Sequence, residues 1–174
     1  MSQEYPLLSI HGWMSDQERD WLYETAKQMS SIVEIGSYQG KSTHALLSGC
    51  KSGIVTAVDH WEGQEGQFKV DGGEAVYQAF LENCGKFPNL VIEKMSSKEA
   101  AEKFKDEGKK FDMVFLDAGH NYKDVKEDLA LWHDLGIKLL CGHDYDEAPV
   151  KKAVDEFLNI TGLCGSIWYY KLEN

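Results

Sequence analysis

The chain has 174 residues, a formal net charge of −11 and a single arginine, Arg19. That length fits one domain, 1–174, able to bury about two thirds of its unfolded surface. The acidity disfavours nucleic acid, and none is expected as a partner, since phosphates must be met by Lys and Arg to release their counterions.

No apolar run approaches the roughly 18 residues of a membrane span, which excludes a membrane partner. The N-terminus has no basic stretch leading into an apolar one, so no signal peptide is expected. Cys50, Cys84, Cys141 and Cys164 form no C-x-x-C pair, and reduced thiols in a cytoplasmic protein are expected.

In chain order, residues 1–30 read as a helical segment that packs on or caps a site. Ser15 and Glu18 have capping-box spacing, and Trp13, Trp21 and Tyr23 read as packing residues. Apolar strand candidates then alternate with helix-period segments: Ser31–Gly36, Ile54–Asp59, Leu90–Met95, Phe111–Asp117 and Ile137–Asp144. Continuous apolar runs of this kind suit strands covered on both faces.

Between them, Val76, Ala79, Phe80 and Cys84 share one helical face, as do Val125, Leu129 and Trp132. Ser96 with Glu99 forms a second capping box, Asn121 can cap the next helix, and Gly136 can close it. His44 and His133 fall inside helices as structural residues. A helix near Val150–Leu158 follows, with Asp144 or Asp146 as its cap. A short strand, a turn at Gly165 and a final strand Ser166–Leu172 end the chain. That hairpin adds one antiparallel strand at the sheet edge; "IWYY" (Ile167–Tyr170) reads as edge strand or homodimer contact. The expectation is α/β, a doubly wound, mostly parallel sheet with helices on both faces. His60–Gly73 is a loop, a lid candidate by its length.

The loop "VEIGSYQGKST" (Val33–Thr43) leaves the first strand and enters a helix, where open α/β sheets bind ligands. It resembles a phosphate-binding P-loop, but Gly36 and Gly40 are separated by three residues rather than four. Both glycines allow a tight turn and close ligand approach. Asp59, 23 residues after Gly36, ends the second strand where a carboxylate commonly anchors a ribose. The short loop with this acid suits an adenosine without a polyphosphate. A P-loop phosphotransferase using Lys41 and an Asp117 metal strand is the remote alternative.

These residues carry a resemblance. Glu34-x-Gly36-x-x-x-Gly40, "VTAVDHWEG", "FDMVFLDAGHNYKDVKEDLALW" and "GHDYDEAPVKKAVDEF", in that order, resemble a small single-domain subgroup of class I S-adenosylmethionine-dependent methyltransferases. Its marks here are Asp-x-Trp-x-Gly and Asp-x-x-His-x-Tyr. The resemblance implies a Rossmann-like seven-stranded sheet with an antiparallel last strand. It also implies S-adenosylmethionine as cofactor, with Glu34, Gly36, Ser37 and Gly40 bordering its methionine end and Asp59 on the ribose. His60 touches the cofactor by proximity, Trp61 lies near ribose or adenine, Ser96 borders the base, and Asp117 lies beside the methyl group. Two departures concern the acceptor: Gln64 stands where Asp is common, and no Pro-Gly-Gly turn precedes His143.

Methyl transfer to a hydroxyl needs positioning and a proton acceptor. The candidate catalytic residues are Asp117, His120 and Asp144, with His120 suited to be the base. Asp117, His143 and Asp144 would also make a ligand set for a divalent cation such as Mg²⁺, as related catechol-type enzymes use. The expected activity is methyl transfer to a hydroxyl of a small molecule; a non-catalytic cofactor-binding member of the fold is the main alternative.

Overall fold

The apolar runs form a seven-stranded sheet in the order β3-β2-β1-β4-β5-β7-β6. The computed structural model describes residues 9–63 and 73–172, so residues 64–72 of the expected His60–Gly73 lid, Gln64 among them, lie outside the described residues. The elements are α1 (Asp16–Ala26), β1 (Ser31–Ile35), α2 (Lys41–Gly49), β2 (Ile54–Asp59), α3 (Glu74–Cys84), β3 (Leu90–Lys94), α4 (Ser97–Asp106), β4 (Phe111–Leu116), α5 (Tyr122–Trp132), β5 (Gly136–Gly142), α6 (Ala148–Phe157), β6 (Gly162–Cys164) and β7 (Ile167–Lys171). Strands β1 to β5 pair in parallel, and β7 runs antiparallel to both β5 and β6.

Both faces of the sheet are covered. Ile32, Ala57, Met113 and Phe115 pack with α1, α2 and α3. Their neighbours Val33, Ile35, Val58, Val114 and Leu116 pack on the other face with α4, α5 and α6. Because side chains alternate along a strand, Glu34 falls on the α2 side. Each full burial of a large apolar side chain contributes about 1.5–3 kcal/mol, so Phe80, Phe104 and Trp132, all fully buried, anchor their helices.

Both expected capping boxes form, at Ser15–Glu18 and Ser96–Glu99, and Asn121 caps α5. Three readings need correction. Gly136 closes the 3-10 turn at His133–Leu135 that extends α5, not α5 itself, and opens β5. The cap of α6 is Glu147, without a side-chain bond, so neither Asp144 nor Asp146 is held there. The final strand is not the edge: β7 lies between β5 and β6, with Ile167 and Trp168 buried, and the three-residue β6 forms the rim. Trp13 is 65% exposed, so it packs at the surface against His11 and Tyr38 and not in the core.

Candidate active site

In the register, Ile35 of β1 pairs with Val58 of β2 and Leu116 of β4. The three residues that follow, Gly36, Asp59 and Asp117, therefore emerge together at the carboxyl edge of the sheet. The connections from β1 and β4 run in opposite directions along the strand order, which makes this the switch point where such sheets bind ligands.

Gly36 has φ +89°, and a Cβ there would stand 2.2 Å from the Asp117 carbonyl oxygen. A Cβ on Gly40, also at φ +89°, would stand 2.5 Å from Cys84 Sγ. The missing side chains thus let the loop press on the β4 end and on α3; they do not clear space for a ligand, as the sequence had suggested.

Asp59 organises the loop. Its Oδ2 accepts the Ser37 and Tyr38 N–H groups, both at 2.9 Å, and its Oδ1 accepts the Trp61 N–H at 2.7 Å. A carboxylate has about four acceptor positions, and among the described residues these N–H groups take three of them. Trp61 is turned inward. Its ring is 3% exposed, packs between Tyr77 and Phe80, and donates its indole N–H to the Tyr38 carbonyl at 2.8 Å. It braces the loop from below.

Glu34 likewise has no exposed surface. It accepts the hydroxyls of Ser37 (2.8 Å), Ser42 (2.5 Å) and Thr43. Burial pushes its carboxyl up to about 7, against the pull of the three hydroxyls and with help from the Asp59 charge. It fastens the loop to α2 through these three hydroxyls. Ser37 is itself 2% exposed, with its N–H on Asp59 and its carbonyl accepting the Gly40 N–H. His60 Nδ1 accepts the Glu62 N–H at 2.9 Å, and the Ser96 hydroxyl is committed to the capping box of α4. Lys41, which a triphosphate would need, donates to the Gly12 carbonyl at 2.8 Å.

Across the switch point, Asp117, His120, His143 and Asp144 converge. His120 Nδ1 lies 2.8 Å from Asp144 Oδ2, and its side chain is 40% exposed. His143 is 6% exposed, with Nδ1 2.9 Å from Asp144 Oδ1 and 3.8 Å from Asp117 Oδ1. The hydrogen bond to Asp144 raises His120, against partial burial. Burial alone would lower His143, but Asp144, Asp117 and Glu18 outweigh it and raise it to about 9. Burial raises Asp117, while the two imidazoles oppose and Asp144 and Glu34 add to the rise. Asp144, although burial works against it, is held well below the usual carboxylate range by its two imidazole partners.

Two participants were not legible beforehand. Glu18, besides closing its capping box, accepts the Ser166 N–H (2.7 Å) and hydroxyl (2.8 Å). Ser166 Oγ in turn lies 2.9 Å from His143 Nε2. Partners 148 positions apart leave no local pattern in a sequence.

Asp117, His143 and Asp144 have ligand atoms within 4.8 Å of one another, as do His120, Asp144 and Glu147. Proximity is not fit. A metal-bound histidine must offer a lone pair, and His143 Nδ1, the nitrogen on the side of the two aspartates, faces their carboxylate oxygens. Mg²⁺ also prefers oxygen ligands. The set as arranged does not suit that cation.

This strand order, parallel apart from the antiparallel pairings of β7, is that of the Rossmann-like methyltransferase fold. A family model described as a methyltransferase domain matches residues 33–137, and the chain belongs to that family. No curated protein matches the chain. Among solved structures it is similar to an O-methyltransferase from Bacillus cereus in complex with SAH, at 14% identity and TM-score 0.66, over 96% of this chain and 84% of that one. It is also similar to the O-methyltransferase TomG from Streptomyces achromogenes, involved in tomaymycin synthesis and in complex with SAM, at 18% identity and TM-score 0.64, over 83% and 67%. A third is the fibrillarin pre-rRNA processing protein of Methanococcus jannaschii, at 13% identity and TM-score 0.60, over 83% and 66%. Identities this low establish the fold, and one fold serves different acceptors.

Proposed function

We propose that this methyltransferase-family chain is a single-domain, cytoplasmic enzyme that uses S-adenosylmethionine to methylate a hydroxyl of a small molecule. The observation that carries the reading is the His120–Asp144 pair at 2.8 Å, set across the switch point from Asp59. In this reading Asp59 accepts a ribose hydroxyl, and Asp117 borders the reacting end. When bound, the cofactor supplies a methyl already activated on sulfur. The chain then has to position the acceptor and take its proton.

His120 suits that second task. Its Nδ1–H is turned toward Asp144, which fixes the tautomer and leaves Nε2 with a lone pair, as in other acid-oriented histidine bases. The new carbon–oxygen bond forms as the carbon–sulfur bond breaks, and the hydroxyl proton passes to Nε2. Asp144 stabilises the imidazolium so formed. Among the described residues no helix is long and apolar enough to cross a membrane, and all four cysteines are free thiols.

The test is methyl transfer from isotope-labelled S-adenosylmethionine to a panel of phenols, catechols and sugars. Label should enter at least one acceptor. His120→Ala should lower that rate about 10²–10⁴-fold while leaving cofactor affinity within about twofold, the scatter expected when no contact is lost. Tight cofactor binding with no transfer to any acceptor would instead identify a non-catalytic cofactor-binding member.

A further inference from the structure

His143 is buried among the charged groups of the site, with only 6% of its side chain exposed, yet the proposed proton transfer does not use it. Its surroundings fix its protonation by donor and acceptor accounting. Nδ1 faces only carboxylate oxygens, Asp144 Oδ1 at 2.9 Å and Asp117 Oδ1 at 3.8 Å. Nε2 faces Ser166 Oγ at 2.9 Å and Glu18 Oε1 at 3.4 Å. The hydrogen between Ser166 Oγ and Glu18 Oε1, 2.8 Å apart, belongs to the serine, since a carboxylate has none to give. Ser166 therefore offers Nε2 a lone pair. Both ring nitrogens must donate, and the ring is an imidazolium.

We infer that the His143 imidazolium is the built-in cation of this site: it ties Asp117 to Asp144 where a divalent metal would otherwise bridge them, so the chain works without metal. Glu18 and Ser166 hold it from behind, which links α1 and the β6–β7 turn to the reacting end of the sheet. His143 is thus a positioning residue. It fixes Asp144, and through Asp144 the orientation of His120. A metal entering between Asp117 and Asp144 would have to expel the Nδ1 proton and break that bond.

The inference rests on the methyltransferase reading only for its consequence, metal-independent transfer; the state of the ring is tested separately. In full-length protein labelled with ¹⁵N-histidine, His143 should show both ring nitrogens protonated at pH 7. Manganese titrated into chelator-treated protein and followed by electron paramagnetic resonance should show no stoichiometric site at sub-millimolar metal. His143→Asp, which supplies a third carboxylate to an oxygen-rich set, should raise manganese affinity at least tenfold. Once an acceptor is known, EDTA should leave wild-type turnover within twofold. A neutral His143, a stoichiometric manganese site in the wild type, or a folded His143→Asp with no gain in affinity would each overturn the inference. If His143→Asp does not fold, the two wild-type measurements decide alone. If cofactor fails to bind while the imidazolium is seen, the methyltransferase reading falls and the assignment of the ring stands.

Discussion

Asp144 carries two imidazoles on one carboxylate, His120 on Oδ2 and His143 on Oδ1. It does so from a left-handed backbone, φ +58°, which an Asp tolerates better than bulkier residues. The consequence for pH follows from the sign of the His120 shift. The hydrogen bond to Asp144 favours the charged ring and raises its pKa above 6.5. A base must be neutral to work, so methyl transfer should fall as pH drops through a value above 6.5. Asp144→Asn keeps the shape and removes the charge; the acid limb of the rate profile should then move toward lower pH. A limb that stays in place would show that His120 does not set the profile.

At the scale of elements, the β1–α2 loop shows why a sequence can suggest two cofactors at once. Gly-x-x-x-Gly-Lys-Ser is compatible with a phosphate loop until the lysine is located, and its side chain points at the N-terminal segment. Lys41→Met should leave S-adenosylhomocysteine affinity within about twofold while speeding amide exchange over residues 10–14, at a cost of about 1 kcal/mol for the lost hydrogen bond. A loss of cofactor binding of a hundredfold would return the lysine to a ligand role.

The strands were legible because doubly covered strands are unbroken apolar runs; the bounds of β2, Ile54–Asp59, agree at both ends. The capping boxes were legible because they are local. The position of β7 was not, since a hairpin's sequence does not say which of its strands meets the sheet. Nor were the committed roles of Glu34 and Trp61, because their partners come from other elements.

At the scale of the whole molecule, the switch point between β1 and β4 decides where chemistry can occur, and the alternation of strands and helices was enough to expect it. Glu18 and Ser166 depend on how α1 and the last hairpin fold back over β5, which no local pattern encodes. Asp59 receives three backbone N–H groups that shape the loop, and the proposed function gives it a second duty, as acceptor for a ribose hydroxyl. Calorimetric titration of wild-type and Asp59→Ala protein with S-adenosylhomocysteine tests this most directly. The account predicts micromolar binding to the wild type and at least a tenfold loss, about 1.4 kcal/mol, in the variant. Equal affinities, or a wild type that ignores S-adenosylhomocysteine and binds Mg·ATP, would contradict it.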